Sequence, residues 1–86
     1  MNTIERFNKV FRVKTIAGML AQTDYIILCT FHQFIIAMDL DATSDDYAEE
    51  MHEVMDEIGF ALGGYVAVNE YGDVYVEQLY TQSIAN

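Results

Sequence analysis

The chain has no proline, a single cysteine and, beyond residue 14, no lysine or arginine. Each absence removes a class of explanation. With Cys29 alone no intrachain disulfide can form, and no Cys/His grouping has the spacing of a zinc site. A reducing, cytoplasmic setting is therefore expected. No Gly/Ser linker, repeat or low-complexity tract marks a boundary, so the 86 residues read as one domain. The longest apolar stretch, Tyr25 to Met38, is shorter than the roughly 20 residues a membrane span needs and is interrupted by His32 and Gln33. Arg and Lys near the N-terminus are not followed by an apolar run and a small-residue cleavage site, so no secretory signal is expected. Gly-rich phosphate loops, Ser/His/Asp orders and zinc-hydrolase motifs are missing as well. Neither an enzyme nor a bound cofactor is expected.

What is present is a folded composition with segregated charge. Hydrophobic residues make up 52% of the chain and fall in periodic runs, which separates it from acidic disordered tails. The four cations, Arg6, Lys9, Arg12 and Lys14, precede 13 of the 14 carboxylates, all but Glu5. Asp39, Asp41, Asp45, Asp46, Glu49, Glu50, Glu53, Asp56 and Glu57 crowd into one loop and one helix. A net charge of −10 repels nucleic acid and anionic membranes, so direct binding to either is not expected.

Periodicity predicts the elements. Residues 3–22 read as helix, but Ile4, Phe7 and Phe11 share one face while Val13, Ile16 and Leu20 share another, so a break is expected near Arg12 to Lys14. A short strand over Phe11 to Thr15 is the alternative. Residues 25–39 are rich in Ile, Phe, Tyr and Thr, which suits two strands, about 25–30 and 33–39, joined by a turn near Phe31 to Gln33. No Gly marks that turn, and a single buried helix from Asp24 fits the same apolar run. Gly64 to Asn69 and Val74 to Tyr80 alternate as strands, with Glu70-Tyr71-Gly72-Asp73 as the turn of a hairpin. The resulting order, helix, hairpin, helix, hairpin, predicts an α+β domain with an antiparallel sheet packed against helices on one face.

The second helix has the clearest pattern. Ser44 is a suitable N-cap, Asp45 and Asp46 suit the positive end of the dipole, and Gly63 or Gly64 provides a stop. At 100° per residue Tyr47, Met51, Val54, Met55, Ile58 and Leu62 fall on one arc, and the carboxylates of 45, 46, 49, 50, 53, 56 and 57 fall on the opposite one. A charged helix face is usually no more than a solvated surface. Here Asp45/Glu49, Asp46/Glu50, Glu49/Glu53 and Glu53/Glu57 are like-charged i,i+4 pairs, each destabilising by about 0.2–0.5 kcal/mol; with the i,i+3 pairs the total is on the order of 1–3 kcal/mol. A helix selected for solubility alone would intersperse lysines. Phe60 projects onto the acidic side if the helix passes Gly59, where it would look like a hot-spot anchor. A helix ending at Gly59, with Phe60 turned into the core, is the preferred alternative.

Carboxylates four apart on a helix rise by about 6 Å, a spacing of the same order as phosphates along a nucleic-acid strand. The chain is similar in type, through its Asp45 to Glu57 pattern, to the small acidic inhibitors that phages and mobile elements encode against restriction enzymes, CRISPR effectors and polymerases. That resemblance implies a basic, nucleic-acid-binding protein as partner. Asp45, Asp46, Glu49, Glu50, Glu53, Asp56, Glu57 and Phe60 are the expected partner-binding residues.

Other patterns are weaker. Asp39 to Glu50 partly resembles an EF-hand loop, but Ser44 replaces the Gly of its sharp turn and Asp46 takes a position usually apolar, so no metal site is expected. His52 and Asp56 supply only two possible ligands, His32 reads as exposed, and Cys29 between Leu28 and Thr30 reads as a small buried hydrophobe. The tyrosines 65, 71, 75 and 80 decorate the last hairpin, whose free edge invites pairing with a second copy. A homodimer formed through that edge, or by the basic N-terminus meeting the acidic helix of another copy, is the competing expectation.

Overall fold

A computed structural model of the chain describes residues 2–79. In order, the elements are α1 (Thr3–Phe11), α2 (Val13–Leu20), β1 (Tyr25–Thr30), α3 (Phe31–Ala37), α4 (Tyr47–Leu62), β2 (Gly64–Val68) and β3 (Asp73–Gln78). The predicted α+β class is observed, with an antiparallel sheet packed against helices.

The expected break between the first two helices falls at Arg12, and no strand forms there. Asn2 starts α1 with a capping box: its Oδ1 accepts the Glu5 N–H at 2.8 Å and its own N–H donates to Glu5 Oε1 at 3.0 Å. Arg12 then takes a left-handed conformation, φ 60°, and Asn8 Oδ1 accepts the Val13 N–H at 2.8 Å across the break. The change of direction lets the Phe7 stripe and the Leu20 stripe enter one core.

The segment 25–39 is neither the expected hairpin nor a single helix. It divides at Thr30 into β1 and α3. Thr30 Oγ1 accepts the Gln33 N–H at 3.1 Å, and Gln33 Oε1 accepts the Thr30 N–H at 3.0 Å, so a second capping box nucleates the helix where a turn was expected. Freed from a local partner, β1 pairs antiparallel with β3, and the sheet order becomes β1-β3-β2.

The C-terminal hairpin is present as predicted over the described residues; Tyr80, read as the end of its second strand, lies outside them. Its turn is organised by Asn69, whose Oδ1 accepts the N–H groups of Tyr71 and Asp73 at 2.9 and 3.0 Å, with Gly72 at φ 83°. Because β3 is flanked on both sides, the last strand is not the free edge. Among the described residues the open edges belong to β2 and β1.

Ile26, Val66, Val74 and Val76 point from the sheet to a helical layer, where Phe7, Leu20, Phe34, Met38, Met51, Met55, Ile58 and Leu62 complete the core. The alternate sheet residues Tyr25, Ile27, Tyr65, Tyr75 and Glu77 face the other way, and no helix among the described residues covers them. Gln78 ties the layers together, its Nε2 donating to the Leu20 carbonyl at 2.6 Å and the Thr23 carbonyl at 3.1 Å.

Candidate functional site

Helix α4 carries the acidic face, and its apolar arc follows the sequence pattern. Met51, Met55, Ile58 and Leu62 are buried, and Tyr47 and Val54 are half-buried. Its ends differ from expectation. Ser44 does not cap the helix: its Oγ accepts the Asp46 N–H at 3.1 Å, two residues on, and Asp46 holds the N-cap position without a side-chain cap bond. Asp45 and Asp46 therefore stand in the turn ahead of the helix, beside its positive end, rather than on its face. Glu49, Glu50, Glu53, Asp56 and Glu57 lie within the helix, and all seven carboxylates are exposed.

Gly59 does not end the helix, as preferred from sequence. The helix continues to Leu62 and stops at Gly63, which takes φ 76°. Gly59 is buried where α4 meets β2, and a Cβ there would stand 2.8 Å from the Gly64 carbonyl oxygen. The glycine serves close approach, not termination. Phe60 consequently remains on the outer face, 91% exposed. On the helical wheel it lies within 20–40° of Glu49, Glu53 and Asp56, at the middle of the anionic arc.

Among the described residues no Lys or Arg forms an ion pair with an α4 carboxylate; the one ion pair there joins Arg6 to Asp39 at 3.7 Å. Asp39 takes φ 57° shortly after α3. Asp41 Oδ1 is engaged by the Thr43 N–H and hydroxyl at 2.9 and 2.6 Å, and these bonds hold its carboxyl below the usual carboxylate range. Among the described residues no three Asp, Glu, His or Cys side chains gather into a possible metal site. His52 is exposed and, with Asp56, lines a groove of about 250 Å³ between α4 and β2. Cys29 is half-buried, and burial followed by the nearby Asp73 charge pushes its thiol up to about 11, away from nucleophilic use.

Sequence reasoning missed the uncovered sheet face. The tyrosines of the hairpin were visible, and their alternation with Val66, Val74 and Val76 places them opposite the core. Tyr25 was not connected to them, because β1 was expected to pair within its own segment. In the fold its ring stacks on Tyr75, with centroids 4.9 Å apart at 22°.

No protein-family model matches the chain, and no curated protein or solved structure is significantly similar to it. Among the described residues no helix is long and apolar enough to cross a membrane.

Proposed function

We propose that the protein is a non-catalytic inhibitor whose α4 face occupies the basic, nucleic-acid-binding surface of a protein partner. The observation that carries this reading is Phe60, a fully presented aromatic ring in line with the carboxylate arc, at its C-terminal end one turn beyond Asp56 and Glu57. A docking surface can use an exposed Phe in line with carboxylates: the ring supplies contact area that binding desolvates, and the neighbouring charges supply steering. The carboxylate rise along α4 lets Glu49, Glu53 and Glu57 meet cationic groups spaced to receive phosphates. Such an inhibitor is of the kind phages direct against restriction or CRISPR nucleases.

The test is a triple variant, Glu49→Gln, Glu53→Gln and Glu57→Gln, alongside Phe60→Ala. Both keep the buried arc intact, so folding followed by circular dichroism is expected to be retained. Partner binding is expected to be abolished in the triple variant and weakened at least tenfold in Phe60→Ala, since an anchor of this type is worth about 2 kcal/mol or more. Normal binding by the triple variant at low salt removes the proposal. The competing homodimer has in its favour the two edges, β2 and β1, left open among the described residues. Sedimentation of the isolated chain distinguishes the two, since only the dimer predicts a mass that rises with concentration.

A further inference from the structure

The uncovered sheet face holds an arrangement independent of α4. Tyr25 and Tyr65 each lie directly opposite Glu77 in the strand registers, so the three residues form one row across β1, β3 and β2. Neighbouring strands are about 4.8 Å apart, so the Glu77 position lies between those of the two tyrosines on the same face. Tyr75 lies two residues along β3 on the same face, about 7 Å away, with its ring stacked on that of Tyr25. Asn69 Nδ2 donates to the Tyr25 hydroxyl at 3.3 Å, holding that ring down along the sheet. Tyr25 is 45%, Ile27 52% and Tyr65 53% exposed, so nothing among the described residues covers the face.

We propose that this face captures an arginine side chain of a protein partner, with Glu77 accepting hydrogen bonds from the guanidinium and the rings of Tyr25, Tyr65 and Tyr75 walling it. Charge selects the occupant. Among the described residues no Lys or Arg forms an ion pair with Glu77: every Lys and Arg of the sequence lies at or before residue 14, in α1, α2 and their junction. Nucleic acid, which also stacks on tyrosines, is repelled by Glu77 and by the net charge of −10. A second copy stacked face to face brings two Glu77 carboxylates into one interface with nothing cationic between them. Geometry then selects arginine over lysine. A planar guanidinium stacks on a phenol ring while its fork engages a carboxylate, and an ammonium can do only the second well.

The test uses the ¹⁵N-labelled full chain titrated with an eight-residue Gly/Ser peptide bearing two central arginines, and with the same peptide bearing lysines. Because a cationic peptide also meets α4, the titration is repeated in the Glu49→Gln, Glu53→Gln, Glu57→Gln background. The expected result is saturable amide shifts at Tyr25, Tyr65, Tyr75 and Glu77 in both backgrounds, weaker for the lysine peptide. Glu77→Gln, an exposed and isosteric change, is expected to weaken apparent affinity about tenfold, the scale of one charge-assisted bond. Tyr65→Leu, which keeps apolar area but removes the ring, is expected to weaken it several-fold. Shifts confined to α4, equal binding of the two peptides, or indifference to Glu77→Gln overturn the proposal. So does concentration-dependent self-association that broadens the same tyrosine signals. Loss of α4 binding with retention of the sheet signals counts against the acidic-helix reading alone.

Discussion

Glu53 is the residue through which the cost of the acidic face is most directly measured. Within α4 it has Glu49 and Glu57 one turn away at i±4, and Glu50 and Asp56 at i±3, so one side chain takes part in four like-charged contacts. Each such pair destabilises a helix by about 0.2–0.5 kcal/mol, so replacing Glu53 with the isosteric, equally helix-competent Gln relieves about 0.8–2 kcal/mol. For a domain of this size that raises the melting temperature by on the order of 5–10 °C. The assay is thermal unfolding followed by circular dichroism at about 10 mM salt and again at about 1 M, where the screening length falls to about 3 Å. The gain is expected at low salt and is expected to shrink sharply at high salt. Glu70→Gln, an exposed carboxylate in the β2–β3 turn, is the control and is expected to change little. An unchanged or lowered melting temperature for Glu53→Gln at low salt refutes the reasoning, because the arc is then not in net repulsion. A gain that survives high salt refutes it too, because charge is then not its cause.

Two further predictions concern packing and reactivity. Gly59→Ala places a methyl group 2.8 Å from a backbone carbonyl that cannot swing aside, so a net loss of about 1–2 kcal/mol is expected despite the better helix propensity of Ala. Gly18→Ala, in α2 with open space around the new Cβ, is expected to gain up to about 1 kcal/mol, and denaturant titration of both variants checks the contrast. Cys29, with its thiol pushed up to about 11, holds only about one part in a thousand as thiolate at pH 8, and its alkylation by iodoacetamide is expected to be slow there and to accelerate with pH until that value. Fast alkylation at pH 7 by the folded chain contradicts the burial described for it.

Much of the fold was legible where a period or a cap is local. The α4 arcs follow from a 3.6-residue repeat, the β2–β3 hairpin from alternation around a Gly-containing turn, and the break at Arg12 from two apolar stripes out of phase. Residues 25–38 have no such period, because their side chains are apolar or half-buried on more than one side. Strand and helix therefore looked alike, although Thr30 and Gln33, three apart, carry a helix-start signal that was there to be read. The sheet order was not legible because β1 finds its partner nearly fifty residues away. The acidic arc was legible from a wheel alone. Phe60 was misread because Gly59 was taken for a stop, when its missing side chain makes room for the Gly64 carbonyl. The tyrosine row needed the register of three strands, and no local pattern encodes that.

In the proposed function the α4 face competes with nucleic acid for a basic protein surface. It is tested most directly by immobilising the chain, capturing partners from a lysate at low salt, and adding duplex DNA or single-stranded RNA at constant ionic strength. The predicted result is capture of a nucleic-acid-binding protein that is displaced by the added nucleic acid and is not captured by the Glu49→Gln, Glu53→Gln, Glu57→Gln variant. Capture that nucleic acid does not displace, or that the variant retains in full, contradicts it.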